Sequence, residues 1–151
     1  CEVLDLSGAD AELVEKSIYR WSRMGSGQWV GWSMPWAAKV WTRLGEPLGA
    51  GHCLDQCVRF FMHHNYFGTH NAFHRGFTSW WDLKAPYIMQ MDVTAGYASA
   101  VMDSLAQAVR HSPPAGPQVP PQFGETAFEG IHLPGGQTVS GRSDASGRLV
   151  D

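Results

Sequence analysis

A proline-rich run near the C-terminal end divides the sequence into two parts with different periodicity. Residues 112–122 read SPPAGPQVPPQ, which places five prolines in eleven residues. Because proline lacks a backbone N–H and clashes with the preceding helical turn, this run cannot be α-helical, and we expect a stiff linker. Apolar residues recur at helical spacing before the run and alternate after it. The sequence therefore predicts a mainly α fold followed by a short β segment.

Four helices are predicted before the linker, over residues 10–24, 33–44, 48–65 and 93–109. Asp10 and Ser33 are the expected N-caps of the first two helices, and Gly45 is the expected left-handed C-cap of the second. Helical spacing also predicts the buried faces. In chain order these are Val14, Ile18 and Trp21; Trp36, Ala37, Val40, Trp41 and Leu44; Leu54, Cys57, Val58, Phe61 and Met62; and Tyr97, Val101, Met102, Leu105 and Val109.

Short strands are predicted after the linker. Residues 127–133 and 137–140 flank a Pro-Gly-Gly turn, and a second turn at residues 144–147 precedes Leu149 and Val150. A hairpin by itself is marginally stable, so it must pack on the helices or on further chain. The predicted organisation is a helical part over residues 1–111, a linker over 112–124 and the start of a β-rich segment over 125–151.

Charge and hydropathy exclude two classes of partner. The net charge of the 151 residues is −3 and no block of like charges occurs, which does not favour nucleic acid. No run approaches the roughly 18 apolar residues of a membrane-spanning helix, so we expect no membrane insertion. The chain opens at Cys1 without an initiator methionine, which is typical of a processed subunit or a piece of a longer polypeptide. Cys53 and Cys57 are four residues apart and are predicted to be small buried side chains.

An irregular, aromatic-rich stretch over residues 66–91 leads directly to Asp92 and the fourth predicted helix. A long stretch without periodicity in a compact chain is usually functional. Asp92 is either the N-cap of that helix or a working carboxylate. His70 and His74 have the four-residue spacing of some metal pairs, although hydrogen-bonded loop histidines are the plainer interpretation.

Two segments of the chain resemble the glycoside hydrolase family 95 α-L-fucosidases and their α-L-galactosidase relatives. Residues 31–44, GWSMPWAAKVWTRL, are similar to the family's GWS, AWK and WARL pattern. Residues 89–92, MQMD, with the stretch 96–107 after them, are similar to its FQIDGNFG segment and the following helix. The resemblance covers about residues 15–110. Two departures stand out: Val93-Thr94 replaces the GN pair, and residues 84–88 replace the HPPF motif.

The resemblance implies a fold and a reaction. The helices would be the C-terminal portion of an (α/α)6 toroid, incomplete in this chain, followed by a β-rich domain. The reaction would be inverting hydrolysis of a terminal α-L-fucosyl or related linkage, with Asp92 on the base side of the sugar pocket. The family's general acid lies in a segment that precedes the position corresponding to Cys1. This chain alone is therefore expected to be inactive.

The resemblance also suggests which side chains would contact a sugar. Trp80, Trp81, Asp82, His70 and Asn71 are the candidate substrate-binding residues, because aromatic rings beside polar groups suit hydroxyl recognition. For Asp82 a turn or Asx residue is the plainer interpretation, and a sugar hydroxyl contact is the alternative. The expected partners are a carbohydrate and the remainder of the barrel, either as a partner chain or as a missing segment. No cofactor is expected, and the family resemblance favours a secreted or vesicular location.

Two alternatives of other classes remain open. The chain could be a non-catalytic structural or interaction subunit derived from such a barrel, with exposed aromatic residues that dock a partner. It could also be a histidine-rich metal-binding module, which would require His70 and His74 to converge with a third ligand.

Overall fold

The computed structural model of this chain describes residues 10–27, 29–72, 88–110, 116–133 and 135–150. Within these ranges the protein is mostly helical, with four α-helices and a small three-stranded antiparallel sheet. This confirms the predicted mainly α fold with a short β segment near the C-terminal end of the sequence. None of the helices in the described ranges is both long and apolar enough to cross a membrane.

The four helices all begin close to the predicted positions, but the third ends at Gln56 and not at residue 65. They are α1 (Ala11–Arg23), α2 (Ser33–Arg43), α3 (Pro47–Gln56) and α4 (Met91–Arg110). Asp10 occupies the N-cap position of α1, although its side chain makes no capping hydrogen bond to the helix. Ser33 is the first residue of α2, and its hydroxyl accepts a hydrogen bond from the N–H of Val30 at 3.2 Å. Gly45 has a φ of +76°, as its predicted C-cap role requires.

Helix α2 is the centre of the helical part, because α3 packs on one side of it and α4 on another. Its buried side chains join Val14 and Ile18 of α1 in one apolar cluster, and those two residues were predicted correctly from their spacing. Trp41 belongs to this cluster, whereas Trp36 is partly buried at its margin. Trp32 precedes the first residue of α2 and is 43% exposed.

The third predicted helix is interrupted. After Gln56 the chain forms a five-residue π-helical segment, Cys57–Phe61, and leaves it at Met62 in an extended conformation. A π turn adds a residue to the helical repeat and therefore rotates the positions that follow it. Val58, predicted to be buried, lies within this segment and is 42% exposed, whereas Phe61 and Met62 are buried as predicted.

Helix α4 buries small side chains where larger ones were expected. Ala100, Ser104 and Ala108 are buried, together with Leu105 from the predicted stripe. Met102 and Val109 are 52% and 37% exposed, so their predicted burial was wrong. Small residues allow α4 to approach α2 closely, and the Ser104 hydroxyl lies 2.9 Å from that of Thr42 in the contact.

The sheet packs on the other side of α4. Its strands are β1 (Thr126–His132), β2 (Thr138–Ser143) and β3 (Leu149–Val150), in the order β1-β2-β3. Phe128, Ile131 and Leu149 contact a small core made by Leu105, Ala108 and Val119. The strands are therefore anchored to the helical part, which meets the requirement of a hairpin too small to be stable alone.

Candidate functional site

The two segments that carry the family resemblance lie against each other in the structure. The backbone N–H of Trp32 donates a hydrogen bond to Oε1 of Gln90 at 3.1 Å, across 58 residues of sequence. The N–H of Gly31 donates to the carbonyl of His70 at 2.8 Å. We call the place where residues 31–33, 68–71 and 90–94 meet the junction. It contains three of the candidate site residues: His70, Asn71 and Asp92.

Glycines make the close approach at the junction possible. A Cβ atom at Gly31 would lie 2.1 Å from the carbonyl oxygen of Thr69 and 2.5 Å from Cγ2 of Val93. A Cβ at Gly68 would lie 2.7 Å from Cβ of Val93. These distances are shorter than non-bonded carbon atoms tolerate, so neither position has room for any other residue without movement of its neighbours.

A short ribbon of extended chain positions the residue that precedes α4. The N–H of Thr69 donates to the carbonyl of Phe61 at 2.9 Å, and the N–H of Gln90 donates to that of Gly68 at 2.9 Å. The hydroxyl of Thr94 then donates to the carbonyl of Tyr66 at 2.8 Å. The first turn of α4 is therefore fixed to the ribbon on one side and to the start of α2 on the other.

Asp92 lies in the first turn of α4, and its side chain is exposed. The helix begins at Met91, one residue before Asp92, so the predicted N-cap position of Asp92 is wrong. The hydrogen bond from the N–H of Val93 to the carbonyl of Gln90, at 3.1 Å, starts the helix earlier than the sequence pattern indicated. A carboxylate in the first turn is still stabilised by the positive end of the helix dipole.

His70 and Asn71 lie in the same junction with different access to solvent. His70 is half-buried, and its backbone N–H donates to the carbonyl of Ile88 at 2.8 Å. Asn71 is completely buried. A ligand at the surface can therefore reach Asp92 directly, whereas contact with Asn71 requires the junction to open.

The other three candidate substrate-binding residues, Trp80, Trp81 and Asp82, lie outside the described residues, as does His74 of the possible metal pair. In the described ranges no group of three histidine, cysteine or acidic side chains is placed to hold a metal ion. The proposed pairing of His70 with His74 therefore stays a prediction.

The two described cysteines are poor ligands and poor nucleophiles. Cys53 and Cys57 are buried and not disulfide-bonded, as the sequence predicted. Burial raises the pKa of each thiol to about 12, with a smaller contribution to Cys57 from its neighbour Cys53. Metal binding and nucleophilic attack both need the thiolate, which such burial disfavours.

Two other aspartates are held in ion pairs. A guanidinium nitrogen of Arg59 lies 2.7 Å from the carboxylate of Asp55, and one of Arg43 lies 3.3 Å from that of Asp103. Both carboxylates therefore have an arginine partner in the structure. They are therefore less available than Asp92 for contact with a ligand.

Sequence reasoning missed Gln90, whose side chain joins the two resembling segments. Its only sequence signal was its place beside Asp92 in the MQMD segment. Reasoning from the sequence also missed the apolar rim of the junction, where Tyr66, Met89 and Met91 are 69%, 54% and 70% exposed. Tyr66 adopts a φ of +61°, a left-handed conformation that nothing in its sequence context indicates.

Comparisons with known proteins add no relative: no family model, no curated protein and no solved structure matches this chain.

Proposed function

We propose that this chain supplies part of an inverting glycoside hydrolase that acts on terminal α-L-fucosyl or related linkages. Asp92 stands on the base side of the sugar pocket, and the general acid belongs to another segment or chain. In this proposal α1 to α4 are helices of an (α/α)6 toroid. Residues 112–124 are the linker from that toroid to a β-rich domain that begins with the three strands.

The observation that carries the proposal is the contact between the two resembling segments. They are far apart in sequence, and the hydrogen bond from Trp32 to Gln90 brings them together two residues before Asp92. An accidental likeness of two short segments gives no reason for them to meet in space. A shared site does give such a reason.

The position of Asp92 suits a base. The carboxylate is exposed and stands at the positive end of a 20-residue helix, where negative charge is stabilised. An inverting glycosidase places its acid and its base on opposite faces of the sugar, with carboxyl groups roughly 6.5 to 9.5 Å apart. Asp55 and Asp103 are occupied by arginine partners, which is consistent with an acid that comes from elsewhere.

Sugar binding and turnover together test the proposal. We expect the isolated chain to bind L-fucose weakly, with saturation-transfer NMR as the measurement, and to leave 4-nitrophenyl α-L-fucoside unhydrolysed. Asp92→Asn should weaken binding roughly tenfold or more, because hydrogen bonds to charged groups contribute about 1.5–3 kcal/mol. Glu129→Gln, which alters an exposed carboxylate on β1, is the matched control and should bind as the parent does.

Two results would contradict the proposal. Absence of L-fucose binding at roughly 10 mM, or binding unchanged by Asp92→Asn, would remove Asp92 from a sugar pocket. Turnover by the isolated chain that Asp92→Asn abolishes would show that the acid lies on this chain, contrary to the assignment above.

The exposed apolar rim of the junction favours a second candidate of another class, a non-catalytic interaction subunit. Trp32, Tyr66, Met89 and Met91 each expose at least two-fifths of their surface, and Ile88 is 41% exposed. Exposed apolar side chains mark protein contact sites where they form a continuous patch. Met91→Gln distinguishes the two candidates: it should abolish partner binding if the rim is an interface, and should leave L-fucose binding within about twofold if Asp92 serves a sugar pocket.

A further inference from the structure

A groove separate from the junction opens between the C-terminal end of α1, the chain that follows it and α3. Its volume is about 480 Å³. This size falls in the range of roughly 300–1,000 Å³ that is usual for small-molecule sites. None of its lining residues belongs to the junction, so any ligand it holds is bound independently of Asp92.

Two tryptophans line the groove, the partly exposed Trp29 and the largely buried Trp41, and both are fixed in place. Trp29 is stacked on Trp21 with ring centroids 3.6 Å apart and planes 8° from parallel. The indole of Trp41 lies so close to α3 that a Cβ at Gly49 would be 2.9 Å from two of its ring atoms. Rings held by their neighbours lose little conformational entropy when a ligand packs on them.

The described lining residues of the groove also include four with polar side chains. Ser22 and Ser26 lie on the α1 side, and His52 and Gln56 lie on α3. Hydroxyl, amide and neutral imidazole groups each offer both donors and acceptors. Among the residues that the structure describes, no acidic side chain, lysine or arginine lines the groove, so its charge complements a neutral ligand that can both donate and accept hydrogen bonds.

We propose that this groove binds a neutral saccharide, one or two sugar rings in size. A sugar ring has an apolar face for an indole and a rim of hydroxyls for the four polar groups. An anionic ligand could form no ion pair with the described lining residues, and a purely apolar ligand could form no hydrogen bonds with their polar groups. The site goes beyond the proposed function, because it requires neither Asp92 nor a missing acid.

Saturation-transfer NMR on the full chain tests the proposal with defined probes. These are methyl β-D-glucopyranoside, methyl β-D-galactopyranoside and methyl α-L-fucopyranoside, with glucuronate and indole as the charged and apolar comparisons. We expect at least one neutral glycoside to bind at roughly 10 mM and to bind more tightly than both comparisons. His52→Ala and Gln56→Ala should each weaken it about two- to tenfold, the effect of one lost hydrogen bond.

Ser26→Phe is the second variant, because it fills the groove while the carbonyl of residue 26 still accepts the hydrogen bond from the N–H of Trp29. It should abolish binding at an unchanged melting temperature, and Asp92→Asn should leave binding at this groove unaltered. Absence of binding by all three glycosides would overturn the proposal, and so would preference for indole or glucuronate. Binding lost in Asp92→Asn but retained in Ser26→Phe would also overturn it, because the sugar would then lie at the junction.

Discussion

Gly31→Ala should destabilise the protein through a single added methyl group. The new Cβ would lie 2.1 Å from the carbonyl oxygen of Thr69 and 2.5 Å from a methyl group of Val93. The Thr69 carbonyl cannot move away easily, because the N–H and the hydroxyl of Thr69 both donate to the carbonyl of Phe61, at 2.9 and 3.2 Å. The clash must therefore displace residue 31 and strain the contact between Trp32 and Gln90.

The size of the effect follows from two opposing contributions. Overpacking a tight site costs about 1–3 kcal/mol. We expect a cost near 3 kcal/mol here, because the clash is with a backbone oxygen that is held in place. Replacing glycine by alanine lowers the entropy of the unfolded chain and returns about 0.4–1 kcal/mol. The net loss is about 2 kcal/mol, which lowers the melting temperature of a chain of this length by roughly 4–8 °C.

Gly27→Ala is a matched control four residues away. No atom lies within 4 Å of a Cβ built at Gly27, and its φ is not in the left-handed region. The entropic contribution alone remains there, so we expect the melting temperature to stay equal or to rise slightly.

Thermal unfolding of the two variants, followed by circular dichroism, measures the difference. We expect Gly31→Ala to melt roughly 6–12 °C below Gly27→Ala, because the two changes share the entropic contribution and differ in the clash. If the two variants melt within about 2 °C of each other, the junction is not the close contact described above. The proposed site would then lose the contact between segments that supports it.

Three further predictions concern burial, thiol chemistry and acid stability. Thr42→Val removes a hydrogen bond to Ser104 in the contact between α2 and α4. It should lower the free energy of unfolding, measured by chemical denaturation, by about 1 kcal/mol and not more, because the Ser104 hydroxyl still donates a hydrogen bond to the carbonyl of Ala100 at 2.9 Å. A measured loss near zero would contradict this. Because burial raises the thiol pKa of Cys53 and Cys57 to about 12, both should react with Ellman's reagent at pH 8 only after denaturant is added. In a Cys1→Ser variant, which removes the third cysteine of the sequence, rapid reaction in the native protein would show that they are accessible. The pKa of Asp144 is lowered from its ordinary 3.8, first by the hydrogen bond from the Ser146 hydroxyl. The ionised carboxylate therefore stabilises the folded state at pH values above 3.8, and this stabilisation is lost as the pH falls through the lower pKa of the folded state. Asp144→Asn should therefore reduce the difference between the melting temperatures at pH 6 and at pH 2–3. An unchanged difference would contradict the assignment.

Local signals in the sequence were sufficient to predict where most of the helices and strands lie. The spacing of Val14 and Ile18 marks the buried face of α1, and both are buried. Gly45 ends α2 in the left-handed conformation that glycine adopts most readily. The prolines after residue 112 and the Gly135-Gly136 turn locate the change from helix to strand. Each of these signals depends on a few neighbouring residues, so it can be identified from a single sequence.

The candidate site depended on contacts that no local pattern contains. The sequence marked Asp92 as a carboxylate at the start of a helix, but only the fold placed it beside Trp32 through Gln90. The buried face of α4 was likewise decided by its neighbour: α2 lies close enough to favour Ala100 and Ser104 over the larger Met102 and Val109. Periodicity records which residues share a face, whereas the space left by the facing element decides which face is buried. The sequence by itself therefore determined most of the helices, the strands and the candidate carboxylate. The tertiary structure decided where the third helix ends and which residues surround that carboxylate.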